Sequence, residues 1–286
     1  MNLDALFASG FDGVMLGFIY GLAAMGLALI FGVMRVINLA HGAIMMLGMF
    51  TVYLLTRQAG LDPYVGLLIA MLLGLVIGII MYLVAVHRVI NAPELTTLLA
   101  TYSVNLMIIG IATAVFTTTP RALDLNMGSL TIGITTVPGT KFIAAIIAIA
   151  VAASLYFFLY RTRVGKSIRA VANNRAAAEL MGINSTLALA LSFGIGTMFA
   201  MVSGVLIATL FSFNPLSGTG YQVKSFVIII LGGIGNPTGA LIGGILLGFL
   251  EGITTVFIPV SWVPVIEYII FVAILIVRPK GLFGGR

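Results

Sequence analysis

The residues of this 286-residue chain that could do chemistry are few, and each can be weighed by the partners its chemistry would need. A protein metal site takes three or four ligands. The chain offers His41 and His87, on different apolar segments, and no cysteine, so no metal site is expected. Gly165-Lys166-Ser167 looks like the end of a phosphate-binding loop, but that loop needs a further glycine where Tyr160 stands. Neither H-E-x-x-H nor G-x-S-x-G occurs. A catalytic chain with its own nucleotide site is therefore excluded. Glu251 and Glu267 lie in apolar runs, where an ionisable group is costly and needs a partner; Lys224 is the candidate for an ion pair, and proton coupling is the alternative. His41, beside a glycine at a break in the helical pattern, reads as a hydrogen-bonding structural residue or a proton relay, and His87 beside Arg88 as interfacial. Thr101, Tyr102, Ser103 and Asn105 form a polar patch that either lines a translocation path or joins helices by hydrogen bonds.

These residues sit on elements of one kind. The chain is 61% hydrophobic and 8% charged, against roughly 25% charged in a soluble domain, and its mean hydropathy is +1.21. It is an all-α, polytopic membrane protein, and its 34 glycines suit the close approach of helices that lipid does not drive together. At roughly 20 apolar residues per crossing, spans fall near 11–33, 39–56, 63–86, 95–116, 141–160, 186–211, 222–235, 236–257 and 264–278, which predicts about eight or nine segments in a single domain, 1–286. The formal charge of +6 is spread as topology signals, so nucleic acid is not expected as a partner. The N-terminal stretch carries Asp4 and Asp12 and no basic residue, so it lacks the n-region of a cleaved signal and the first run is expected to stay.

The largest polar island is 161–185. It holds Arg161, Arg163, Lys166, Arg169 and Arg175 with no acid before Glu179, and its alanines suit a helix ending at Gly182. Lys166, Arg169, Asn173 and Ala177 would share one stripe of it. It is either a basic cytosolic loop or a docking helix. With the island in the cytosol, ten basic residues fall inside, among them Arg35, Arg88, Arg278, Lys280 and Arg286, against Arg57, Arg121, Lys141 and Lys224 on the other side. The N-terminus is then outside and the C-terminus cytosolic. The outer connection 117–140 is expected to form a short hairpin or lid near 130–137. Two places interrupt the helical pattern at membrane depth: Arg35 to Ala43, with Asn38, His41 and Gly42, and Leu231 to Ala240, with Gly232, Gly233, Asn236 and Gly239. Both read as an asparagine, then Gly-Ala and an apolar helix. They are either ordinary asparagine N-caps or the paired re-entrant breaks that line transport paths.

Several stretches together resemble one family. V-G-K-S-I-R-A-V-A-N-N-R-A-A-A-E-L-M-G-I-N at 164–184, the small-residue helix at 191–208, R-V-I-N-L-A-H-G-A at 35–43, L-G-G-I-G-N-P-T-G-A-L-I-G-G at 231–244 and V-R-P-K-G-L-F-G at 277–284 are similar to permease subunits of ABC importers for branched-chain amino acids. The resemblance implies a bacterial inner-membrane protein that works with a second, paralogous permease or a copy of itself, two ABC ATPases and a solvent-side binding protein. ATP and magnesium would sit on the ATPases and no cofactor on this chain. Helix 165–182 would be the coupling helix, with Gly165, Lys166, Arg169, Asn173, Ala178, Glu179 and Gly182 meeting an ATPase. The path would run by Asn38, His41, Gly42, Tyr102, Asn105, Gly232, Gly233, Asn236 and Gly239. The ligand would be a branched-chain or other neutral amino acid, with urea or a short amide as the alternative in the same family and a proton-coupled secondary transporter as the alternative of another class.

Overall fold

The structure, a computed structural model, describes residues 3–125, 127–132, 135–278 and 281–282. Lys280, Arg286 and Gly133 lie outside the described residues. The helices are α1 (Leu3–Met34), α2 (His41–Ala59), α3 (Pro63–Met81, continued by a π-turn over Tyr82–Val86), α4 (Glu94–Phe116), α5 (Gly139–Arg161), α6 (Arg163–Asn173), α7 (Arg175–Leu180), α8 (Ser185–Ala208), α9 (Ser217–Gly232), α10 (Pro237–Phe257) and α11 (Val263–Val277). Six of them, α1, α3 with its π-turn, α4, α5, α8 and α10, are long and apolar enough to cross a membrane. The remaining expected segments are α2, α9 and α11. Helix α9 is displaced from its expected range, beginning at Ser217 and stopping at Gly232.

Helices α1 and α8 form the axis of the bundle: 83% and 89% of their apolar windows are buried, against 11% for α4. The α1–α10 contact is a glycine seam. A Cβ at Gly13 or Gly248 would collide with the carbonyl of the other, so these two helices touch backbone to backbone. At the periphery, α4 turns Leu99, Leu106, Met107 and Ile111 away from the bundle and buries Thr97, Thr101, Asn105 and Ala112. Of the polar patch read in the sequence, Thr101 and Asn105 face inward, whereas Tyr102 and Ser103 are exposed on the far side. Tyr102, expected on the path, does not face the interior of this chain's bundle.

The 117–140 connection contains the expected hairpin. Strands β1 (Ser129–Ile132) and β2 (Thr135–Pro138) pair antiparallel, with Leu130 opposite Val137. Arg121 fastens the connection to the bundle. Its backbone exchanges two hydrogen bonds of 2.8 Å with Phe213, and its guanidinium carbon lies 5.2–5.9 Å from the ring centres of Phe50, Tyr53 and Phe116. Lys141 meets both oxygens of Asp12 at 2.7 Å at the same face. The opposite face carries α6 and α7.

Candidate functional site

The 161–185 island folds as two helices, not the one expected over 165–182. Asn174, at φ −155° and ψ 105°, leaves the helical region and caps α7 by accepting from the Ala177 N–H at 3.0 Å. The stripe that joins Lys166, Arg169 and Asn173 to Ala177 is therefore cut between Asn173 and Ala177. Helix α6 starts with Thr162, whose hydroxyl accepts from Gly165 N–H at 3.0 Å. Gly165 lies against the last turn of α5, where a side chain would strike the Phe158 carbonyl. Gly165, Ile168, Val171 and Ala178 are buried, and Lys166 and Asn173 face out. The predicted stop at Gly182 is present: Gly182 sits at φ +79°, its N–H bonds to Glu179 O, and Ile183 N–H reaches back to Ala178 O at 3.0 Å. That is a Schellman ending, which glycine allows at no steric cost.

Two of the charged residues expected to point at a partner are occupied within the chain. Arg169 donates Nε–H to Leu159 O at 3.0 Å and lies over the Tyr160 ring, 4.4 Å from its centre. Glu179 accepts from Ser185 Oγ and from Arg175 Nε at 3.0 Å. Those hydrogen bonds, Ser185 first and then Arg175, hold the Glu179 carboxyl below its ordinary range. The outermost side chains here are apolar: Leu180 and Met181 are 89% and 82% exposed.

The two breaks differ. At the second, Asn236 is the N-cap of α10: its Oδ1 accepts from Gly239 N–H at 3.1 Å and from the Thr238 hydroxyl at 2.7 Å. Gly232 and Gly239 close the turn backbone to backbone, and Ile234 is exposed. The N-cap reading holds at this break. At the first, Asn38 is not the cap. It stands two residues before Ala40, the N-cap of α2, which itself offers no side-chain bond. Asn38 Oδ1 accepts from Ala40 N–H at 3.0 Å, while two other donors of the turn are satisfied from distant helices: Leu39 N–H by Thr101 Oγ1 of α4 at 3.2 Å, and Gly42 N–H by Gln222 Oε1 of α9 at 3.3 Å. Thr101 also donates to Ile37 O at 3.2 Å.

This break lies deep in the bundle. Gly32 backs onto Gly235, beyond the last residue of α9, and Gly42 onto Gly218 at its first turn, so the chain between them is carried along the length of α9, ~24 Å by helical rise. Val36, Asn38, Ala40 and His41 are all buried. Asn38 Nδ2, both ring nitrogens of His41, Asn105 Oδ1 and Ser203 Oγ have no hydrogen-bond partner; the imidazole lies near the Ala23 carbonyl without hydrogen-bond geometry. The structural hydrogen bond expected of His41 has the Ala23 carbonyl as its near candidate partner. A buried polar group left bare costs ~1–3 kcal/mol.

Beside both breaks is a cavity of about 130 Å³ lined only by apolar side chains, among them Leu27, Phe31, Ile37, Phe226, Ile230 and Ile234. Farther along α9, Lys224 reaches Glu251 of α10 at 2.7 Å and Glu267 of α11 at 3.1 Å and lies over the Tyr20 ring. The expected ion pair is present and extends to a third helix. His87 is exposed and its Nδ1 lies 3.4 Å from the Tyr82 hydroxyl. Among the described residues no group of three or more metal-ligating side chains occurs.

The described residues thus combine a deep helix break, an apolar cavity and a basic helix pair on one face. The profile of the family described as branched-chain amino acid transport system, permease component, matches residues 10–277. The chain belongs to this family. It is 29% identical over 292 residues to the high-affinity branched-chain amino acid transport system permease protein LivH of Escherichia coli K12, covering 96% of this chain and 94% of that protein. It is 27% identical over 288 residues to the corresponding BraD protein of Pseudomonas aeruginosa, with the same coverages. A ribose import permease protein, RbsC of E. coli, is 34% identical over 103 residues, which is 34% of this chain and 32% of that protein. No solved structure shows a significant match. This permease is thus a multi-pass membrane component of a transport system.

Thr101 joins helices by hydrogen bonds, one of the two readings of its polar patch, but sequence reasoning did not tie it to the first break and missed Gln222 altogether. A threonine and a glutamine in apolar helices carry a signal only as polar residues needing partners, without saying whose.

Proposed function

We propose that this permease forms, with a second permease chain, the membrane path of an ABC importer that moves branched-chain amino acids inward, driven by ATP hydrolysis on partner ATPases and supplied by a solvent-side binding protein. The observation that carries the reading is the α6–α7 pair. It is seated by Gly165, Ile168, Val171 and Ala178, presents Lys166, Asn173, Leu180 and Met181 outward, and belongs to a chain with no nucleotide motif of its own. A short, rigidly seated helix pair with exposed leucine and methionine suits an ATPase cleft. Arg169 ties α6 to the end of α5 and Glu179 ties α7 to the start of α8, and contact falls to the residues around Lys166 and at the Leu180–Met181 tip. ATP-driven closure would bias α5 and α8, which flank the pair, between two packings.

The distribution of basic residues supports a cytosolic α6–α7 face and an outer hairpin face. An aliphatic ligand is preferred over urea or an amide because the relatives named for branched-chain amino acids align end to end, and because the cavity beside the breaks offers only apolar surface. The test is co-purification of the tagged chain from its native membrane, followed by reconstitution. Stoichiometric ATPase and ATP-dependent leucine uptake are expected, with uptake lost in Leu180→Asp. Uptake by this chain alone under a pH gradient would overturn the reading in favour of a proton-coupled carrier.

A further inference from the structure

We propose that the start of α2 is a carboxylate-binding site, which receives the ligand's carboxylate during passage; the inference rests on the import reading above. Helix α2 begins inside the bundle, and although its leading N–H groups are already bonded, a helix N-terminus carries partial positive charge that favours an anion. A second observation points to a ligand. The Asn38 amide is fixed in orientation, because the Ala40 N–H can only donate and so takes Oδ1, which leaves the Nδ2 donor at the same turn, fully buried and bare. His41, the first residue of the helix, is equally buried with both ring nitrogens unpaired. A neutral imidazole supplies one N–H. The two side chains, three positions apart at the positive end of a helix, offer donors of the kind a carboxylate takes, with the Ala23 carbonyl as the competing acceptor near the ring.

The surrounding capping bonds support a site that is filled only transiently. Thr101 and Gln222 satisfy Leu39 N–H and Gly42 N–H from α4 and α9, so the turn keeps its shape without a ligand. Only the side-chain donors of Asn38 and His41 are left over. Broken membrane helices turn their half-helix N-termini toward charged ligand groups, and the bare Asn38 amide lies at such a terminus.

The experiment uses the assembled importer, with its partner chain and ATPases, in lipid nanodiscs. Saturation-transfer NMR is recorded with 4-methylpentanoate and with 4-methylpentanamide, which differ only in the carboxylate, and leucine uptake is measured in vesicles. Asn38→Asp and Gln222→Glu each keep the oxygen that caps the backbone while placing a carboxylate against the site. The acid is expected to show transfer and the amide none, and each variant to assemble normally with leucine uptake about tenfold weaker at low substrate, equivalent to ~1.4 kcal/mol. Equal transfer from acid and amide overturns the proposal, as does no transfer from either with uptake intact, which would mean that the turn holds only water. Wild-type uptake in both variants also overturns it. Failure of the wild-type importer to take up leucine would instead overturn the import reading, and the two results are distinguishable.

Discussion

The two helix breaks read almost alike in sequence and fold differently. Asn236 caps its own helix through Gly239 N–H at a partly exposed turn, where Gly232 and Gly239 close on each other. The Asn38 turn is buried, and its backbone donors are satisfied by Thr101 and Gln222, on helices that meet only in the finished bundle. Helix α9 joins the two, since it begins beside Gly42 and ends at the second break. A self-capped turn is a local structure that can persist while its neighbours move. A turn capped by two other helices is a structure of the assembled bundle, and any motion of α4 or α9 must be felt there.

The largest effect should come from loosening α9 itself. Lys224→Met leaves Glu251 and Glu267 facing each other without a cation, and is expected to cost ~3–5 kcal/mol, seen as loss of the folded peak in size-exclusion chromatography. Both breaks should fail together; a well-folded Lys224→Met protein would separate α9 from their stability. Next is Gly42→Leu, which forces a side chain into the Gly218 carbonyl. Overpacking of this kind costs ~1–3 kcal/mol, readable as a lower melting temperature, and it touches the first break alone.

The comparison is sharpest in a matched pair. Thr101→Val keeps the shape of the side chain but leaves the partly buried Leu39 N–H without an acceptor, for ~1–3 kcal/mol. Asn236→Ala removes a cap at a wetter turn, for ~1 kcal/mol. Thermal melts of the two in one detergent should rank Thr101→Val as the more damaging, and the reverse order would contradict the assignment of the first turn as the one that depends on the bundle. The smallest effect is at Glu179, outside the membrane. Its carboxyl is held below its ordinary range, so its contribution is complete above the unfolded value near 4.5 and is lost as pH falls through the lower folded value. In wild type, NMR titration should show that side chain protonating late on acidification, and Ser185→Ala should bring the midpoint back up.

Much of this was legible in the residues. The apolar runs gave most of the helices to within a few positions, although α1 and α9 begin well before their expected ranges, the turn chemistry around 130–137 gave the hairpin, and Met181-Gly182-Ile183 gave the helix stop, all of them local signals. The Lys224 pairing with Glu251 and Glu267 followed from the cost of a lone charge in lipid. The α6–α7 break was not legible, because Asn173-Asn174 in an alanine-rich stretch is compatible with an unbroken helix, and Asn174 leaves it only by capping the next one. Nor was the inward employment of Arg169, whose acceptor at Leu159 and ring at Tyr160 belong to the preceding helix.

By itself the sequence determined the solvent. At 61% hydrophobic and 8% charged, the chain can satisfy its backbone only as membrane helices, and its basic residues cluster to one side of them. Only the tertiary structure decided what each interrupted helix does with its bare backbone groups. The caps of the first break come from 62 and 180 positions away, and a hydrogen bond between residues so far apart is chosen by packing, with no trace in local propensity.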